Sequence, residues 1–157
     1  MKVLSAEWVV KAEGDFRSAG REQRVRLAPN PDLVCFLSQQ CAEKYLKALL
    51  FELDLRFGKT HDLLALLALG VTAEPSLATL RDRLEALNDY AVEFRYPGET
   101  ATTVEARTAF GNCRAVRSFV RDCLGLDEPP TKQLKLQIKE RRAKYRVRRV
   151  IRGKGGE

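Results

Sequence analysis

Apolar residues recur every three to four positions along the first 124 residues, which predicts helices rather than strands. Trp8, Ala12, Phe16 and Ala19 define the inner face of a first helix, about Ser5 to Arg26. Glu7 and Lys11 form an i,i+4 pair on its other side, and Arg17, Arg21 and Arg24 form a basic strip near its end. The prolines of APNP, residues 28–31, stop it. A second helix is expected from an Asp32 cap to about Asp54. It is apolar nearly all round, from Leu33 and Val34 to Tyr45, Leu46, Leu49 and Leu50, and is therefore expected at the centre of the fold. Gln40, Glu43, Lys44 and Lys47 read as its one narrow solvent stripe.

Gly58 suits a positive-φ break, after which Thr60 is the expected cap of a short helix, His61 to Leu69. A fourth helix starts near Pro75, where Leu77, Leu80, Leu84, Leu87, Ala91 and Phe94 step by threes and fours into one seam. RYPGET, residues 95–100, breaks it. The fifth helix, about Thr102 to Leu124, turns Ala106, Ala109, Cys113, Val116, Val120 and Cys123 inward and Arg107, Arg114, Arg117 and Arg121 outward. The pattern predicts an all-α, up-and-down bundle of four long helices plus one short helix over residues 1–126, with a basic extension over 127–157.

Charge separates these two parts. From Pro129 to the end stand eleven Lys or Arg against two Glu, a net of +9 within a chain total of +7, so residues 1–128 carry −2. The extension alternates at Leu134, Leu136 and Ile138 but reads as helical from Lys139 on, so it is open between a folded and a disordered arm. Arg141, Arg142, Lys144, Arg146, Arg148 and Arg149 are candidate phosphate contacts, because clustered cations gain affinity by releasing counterions from nucleic acid. Cys35, Cys41, Cys113 and Cys123 form no CxxC pair and have one histidine to join them, which argues against zinc; core-filling thiols are the expectation. No cofactor motif stands out. The absence of a long apolar run or a leader pattern points to a cytoplasmic protein without membrane contact.

His61 is the one histidine, and Arg56 stands five residues before it. Histidine can take a proton from a ribose 2′-OH while arginine stabilises the phosphate, so the pair is a candidate metal-free ribonuclease site. His61 reads equally as a residue opening a capped helix, or as a phosphate contact at a helix start. Arg95, Tyr96, Gln40, Lys44 and Lys59 are candidate ligand contacts, against a reading of Arg95 and Tyr96 as a structural turn.

Several stretches together resemble the HEPN family: Trp8 with Ala12, CFLSQQCAEKYLKALL in the second helix, KTHDLLALL, and YAVEFRYPGE, in that order over about residues 3–124. The resemblance implies a helical bundle, often a homodimer. Many members are metal-independent ribonucleases carrying Arg, four to six residues, then His, and many are paired with a minimal nucleotidyltransferase as a toxin–antitoxin module. Arg56 and His61 match that spacing. The family's motif usually leads into the last long helix, where Arg95 stands here with Thr100, Ala101 and Thr102 in place of a histidine. The expected function is nucleotide or RNA binding within such a pair. A ribonuclease built on Arg56 and His61 is the alternative, and an adaptor docking through the leucine seam is a third.

Overall fold

The computed structural model describes residues 1–91 and 98–126, the side chain of Ala91 excepted. Met1–Gly125 form one compact unit, and the chain beyond Leu126 lies outside the described residues. Regular structure among the described residues is all helical: α1 Val3–Glu22, α2 Pro31–Glu52, α3 Leu63–Val71, α4 Arg81–Asn88 and α5 Thr103–Cys123. Two 3₁₀ segments, Pro75–Leu80 and Asp89–Ala91, flank α4. The chain is a helical bundle, with α2 packed against α1, α3 and α5.

The near-continuous apolar surface of α2 explains its central place. Tyr45 and Cys41 are fully buried, and Leu46, Leu49 and Leu50 nearly so. Pro31 does not block this helix. It occupies the first turn, where a missing N–H costs nothing, and the Asn30 side chain caps the Leu33 N–H at 3.0 Å. The expected cap, Asp32, instead accepts from the Ala101 N–H at 2.6 Å and ties the entrance of α5 to that of α2. α1 has no side-chain cap; its first residues are held by Lys2, whose backbone N–H donates to Glu52 at 2.8 Å.

The fourth segment departs from expectation. The leucine seam is real, and Leu77, Leu80, Leu84 and Leu87 are all buried. It is carried by a 3₁₀ turn followed by two turns of α-helix, not by one long helix. The step of three from Leu77 to Leu80 suits the three-residue 3₁₀ repeat, and the next steps of four and three suit the α repeat. These leucines are spent on the chain's own core, which removes the face an adaptor reading needs.

α3 also starts later than expected. Asp62, not Thr60, is its cap, accepting from the Leu64 and Ala65 N–H groups at 2.9 and 3.1 Å. Thr60 accepts from the Asp62 N–H, so it shapes the approach to the helix. His61 therefore precedes the helix instead of opening it. Gly58 does not have positive φ; Gly98 and Gly125 do. α5 begins with a Thr102–Glu105 capping box. Three of the four cysteines are buried as core thiols, while Cys123 is exposed.

Candidate functional site

The loop between α2 and α3 brings His61 back onto the middle of α2. The His61 Nδ1 lies 3.1 Å from Glu43 Oε2 and 3.2 Å from its Oε1. The two side chains differ sharply in exposure, 73% for His61 and 4% for Glu43. One turn along α2, Lys47 donates to Glu43 at 2.7 Å, with its ammonium 5.6 Å from the centre of the Trp8 ring. Gln39 donates both to Glu43 and to the His61 carbonyl, each at 3.2 Å, which fixes the loop as well as the carboxylate. Gln40 donates to Gln39 at 2.7 Å and reaches Glu43 at 3.5 Å.

Burial pushes the Glu43 carboxyl upward. The hydrogen bonds from Lys47 and His61, and the Lys47 charge, outweigh it and leave Glu43 below the ordinary glutamate value. Glu43 is thus a buried anion held by a cation on one side and a largely exposed imidazole on the other.

The solvent stripe expected on α2 is overturned here, since Glu43 and Lys47 are both buried. A helix surrounded on several sides must bury whatever polar residues it carries, and these satisfy one another at i,i+4 spacing. That spacing, inside an otherwise apolar helix, was the available signal. Lys44 faces elsewhere and pairs with Asp15 of α1.

The ridge expected on the outside of α5 divides in the same way. Arg107 and Arg114 are exposed. Arg117 turns to Glu13 of α1, with its Nε donating at 2.6 Å, and Arg121 reaches both Glu13 and Tyr45 at 3.4 Å. Burial raises the Glu13 carboxyl, yet hydrogen bonds from Arg117 and Tyr45 and the arginine charges bring it below its ordinary value. Burial and the Glu13 acceptor push the Tyr45 hydroxyl well above its own. This second network joins α1, α2 and α5 and leaves no exposed reactive group.

Of the sequence candidates, the structure groups His61 and Gln40 around Glu43. Arg56 and Lys59 are exposed on the loop leading to His61, and no hydrogen bond or ion pair joins Arg56 to His61 among the described residues. Arg95, Tyr96 and the six basic residues from Arg141 to Arg149 lie outside the described residues. Those described contain no group of three or more His, Cys, Asp or Glu placed to hold a metal. Nor do they contain a helix long and apolar enough to cross a membrane.

The HEPN domain profile matches residues 5–123, the whole helical bundle. The chain belongs to the HEPN family. Two solved structures share the fold. TT1696 from Thermus thermophilus superposes with a TM-score of 0.65 at 23% identity, over 75% of this chain and 96% of its own. ST0689, described as an archaeal HEPN homologue, gives 0.57 at 24% identity, over 78% of this chain and 98% of its own. A search of the curated proteins finds no significant match.

In this HEPN chain the Glu43–His61 contact has a definite chemical consequence. A nitrogen facing a carboxylate carries the hydrogen, so Nδ1–H of the neutral ring points at Glu43 and Nε2 is left as the basic nitrogen. The ring is exposed, so that nitrogen is open to a ligand. Glu43 and Lys47, both buried, set the orientation from behind.

Proposed function

We propose that this HEPN protein is a cytoplasmic, homodimeric module that binds RNA or a nucleotide, paired with a minimal nucleotidyltransferase in a toxin–antitoxin arrangement. HEPN domains are commonly dimeric. The observation that carries the reading is the set of exposed basic residues within 56–61. Arg56, Lys59 and His61 are three exposed basic side chains on one loop, and His61 shares the Glu43 carboxylate with the Gln40 amide. Neither Arg56 nor Lys59 has an acidic partner among the described residues, so both are available to phosphate oxygens.

A second reading, a metal-independent endoribonuclease, is favoured by the carboxylate behind His61. Glu43 gives the ring the tautomer and orientation of a general base, and Arg56 or Arg95 would supply the phosphate-stabilising cation.

One experiment separates the two. Labelled single-stranded RNA is incubated with the full chain in EDTA, with binding and cleavage read on the same samples, and with His61→Ala and Arg56→Ala alongside. Binding without cleavage, weakened by Arg56→Ala, is the expected result. Cleavage abolished by His61→Ala would establish the nuclease. No binding of the RNA, and none of a nucleoside triphosphate titrated in parallel, would overturn both readings.

A further inference from the structure

A second basic surface lies on the described residues, away from the His61 loop. It is an open groove of about 490 Å³ between the second half of α1 and the middle of α5. Arg17 and Arg21 line it from α1, Arg24 from the turn that follows α1, and Arg114 from α5, with Phe16 and Phe110 as its floor.

The four arginines form no ion pair among the described residues. Of the neighbouring acids, Glu13 is paired with Arg117 and Arg121 and Asp15 with Lys44, while Glu22 accepts the Asn30 N–H at 2.9 Å and keeps its charge. Four like charges around one groove repel one another, and an anionic chain laid between them relieves that repulsion.

The floor is aromatic. Phe16 and Phe110 stack with centroids 5.1 Å apart and planes at 17°. Gly20 permits this approach of α5, since a Cβ there would stand 3.1 Å from the Phe110 ring. Arg114 lies over the Phe110 ring at 5.2 Å, and Arg117 over Phe16 at 4.6 Å. Arg114 is exposed, so its guanidinium plane is a surface on which a base can stack.

We infer that this groove binds the phosphate backbone of a single-stranded nucleic acid. Arg17 and Arg21 stand one helical turn apart, about 6 Å along α1, and Arg24 extends the row past the helix end, which suits a short run of consecutive phosphates. The groove is open, whereas a small-molecule site buries most of its ligand, so a passing chain fits it better than a mononucleotide. This inference rests on the reading of the protein as a nucleic-acid binder and adds the surface that does it. No contact here distinguishes ribose from deoxyribose, so the chemistry is that of either backbone.

The test uses the full chain with fluorescent oligouridylate and oligothymidylate, titrated by anisotropy at several salt concentrations. Arg17→Gln with Arg24→Gln is compared with Lys11→Gln with Arg81→Gln, which removes the same charge from exposed positions outside the groove. Loss of about tenfold or more in affinity, with a salt slope shallower by about 1.4, is expected for the groove pair alone. Circular dichroism checks that both variants fold. Photocrosslinking from 4-thiouridine is expected to reach peptides of α1 and α5. Binding that both pairs weaken equally, with crosslinks confined to the basic extension or to residues 56–61, would overturn the groove and leave the proposed function standing. No binding of either oligonucleotide would overturn the groove and the nucleic-acid reading together. Tighter binding of duplex than of single strands would also overturn it.

Discussion

The His61 Nδ1 rests 3.1 Å from a Glu43 carboxylate that is itself buried against Lys47. The exposed histidine and the buried ion pair form one unit across α2 and the loop that follows it. Removing Glu43 should then act on stability far more than removing His61. Glu43→Gln leaves the Lys47 ammonium buried without its counter-charge and is expected to cost about 3 kcal/mol in urea unfolding. His61→Ala, at an exposed position, is expected to cost under about 1 kcal/mol. Equal losses would mean that the imidazole, not the lysine, holds the carboxylate. Replacing Glu43 and Lys47 together by Leu and Met should recover most of the loss.

Acid should loosen the protein through the same group. Glu43 is lowered on folding by Lys47 and His61 against the opposing pull of burial. Its stabilisation is fully present above the unfolded glutamate value, about 4.3, and is lost as pH falls through the lower folded value. Glu13, lowered by Arg117 and Tyr45, acts in the same direction. Urea midpoints should fall below about pH 4.3, and Glu43→Gln should flatten that fall. Parallel slopes for the two proteins would remove Glu43 from the account.

The start of α3 offers a sharp comparison. Asp62 satisfies two N–H groups of the first turn, and Thr60 satisfies the Asp62 N–H just before it. Asp62→Ala should cost about 1 kcal/mol and Thr60→Ala a few tenths. The reverse order in thermal or urea unfolding would make Thr60 the cap after all.

Two glycines should respond in opposite directions. A Cβ at Gly70 would stand 2.7 Å from Leu77 Cδ1 and 3.5 Å from Leu50 Cδ2, so Gly70→Ala should cost about 1–3 kcal/mol as Leu77 is displaced. Gly58 has nothing within 4 Å of its added Cβ and no positive φ. Gly58→Ala should therefore be neutral, or stabilise by about 0.4–1 kcal/mol through the unfolded chain. Calorimetric midpoints of the two variants check both signs.

Local pattern was enough to place the three long helices. Apolar residues at helical spacing located α1, α2 and α5, and the all-round apolarity of α2 identified the central helix. The expected start of α5 near Thr102 matches the structure, where Thr102 and Glu105 form a capping box. Even the seam from Leu77 to Leu87 was legible, although the backbone carrying it changes helix type. Periodicity reports which residues face inward, and a 3₁₀ turn and an α-helix share the three-residue step.

Polar partnerships lay beyond that reach. Nothing local to Glu43 announces that a loop 18 residues on will set His61 against it, or that both Glu43 and Lys47 will be buried. Arg114 and Arg117 look alike in sequence, yet Arg117 closes on Glu13 while Arg114 lies over Phe110 at the edge of a groove. Such differences depend on which helix comes to lie alongside, and at what rotation. Hydrophobic burial is non-directional and leaves its trace in composition along one helix. Hydrogen bonds and ion pairs are directional and join residues far apart in the chain, so their partners emerge when the helices pack.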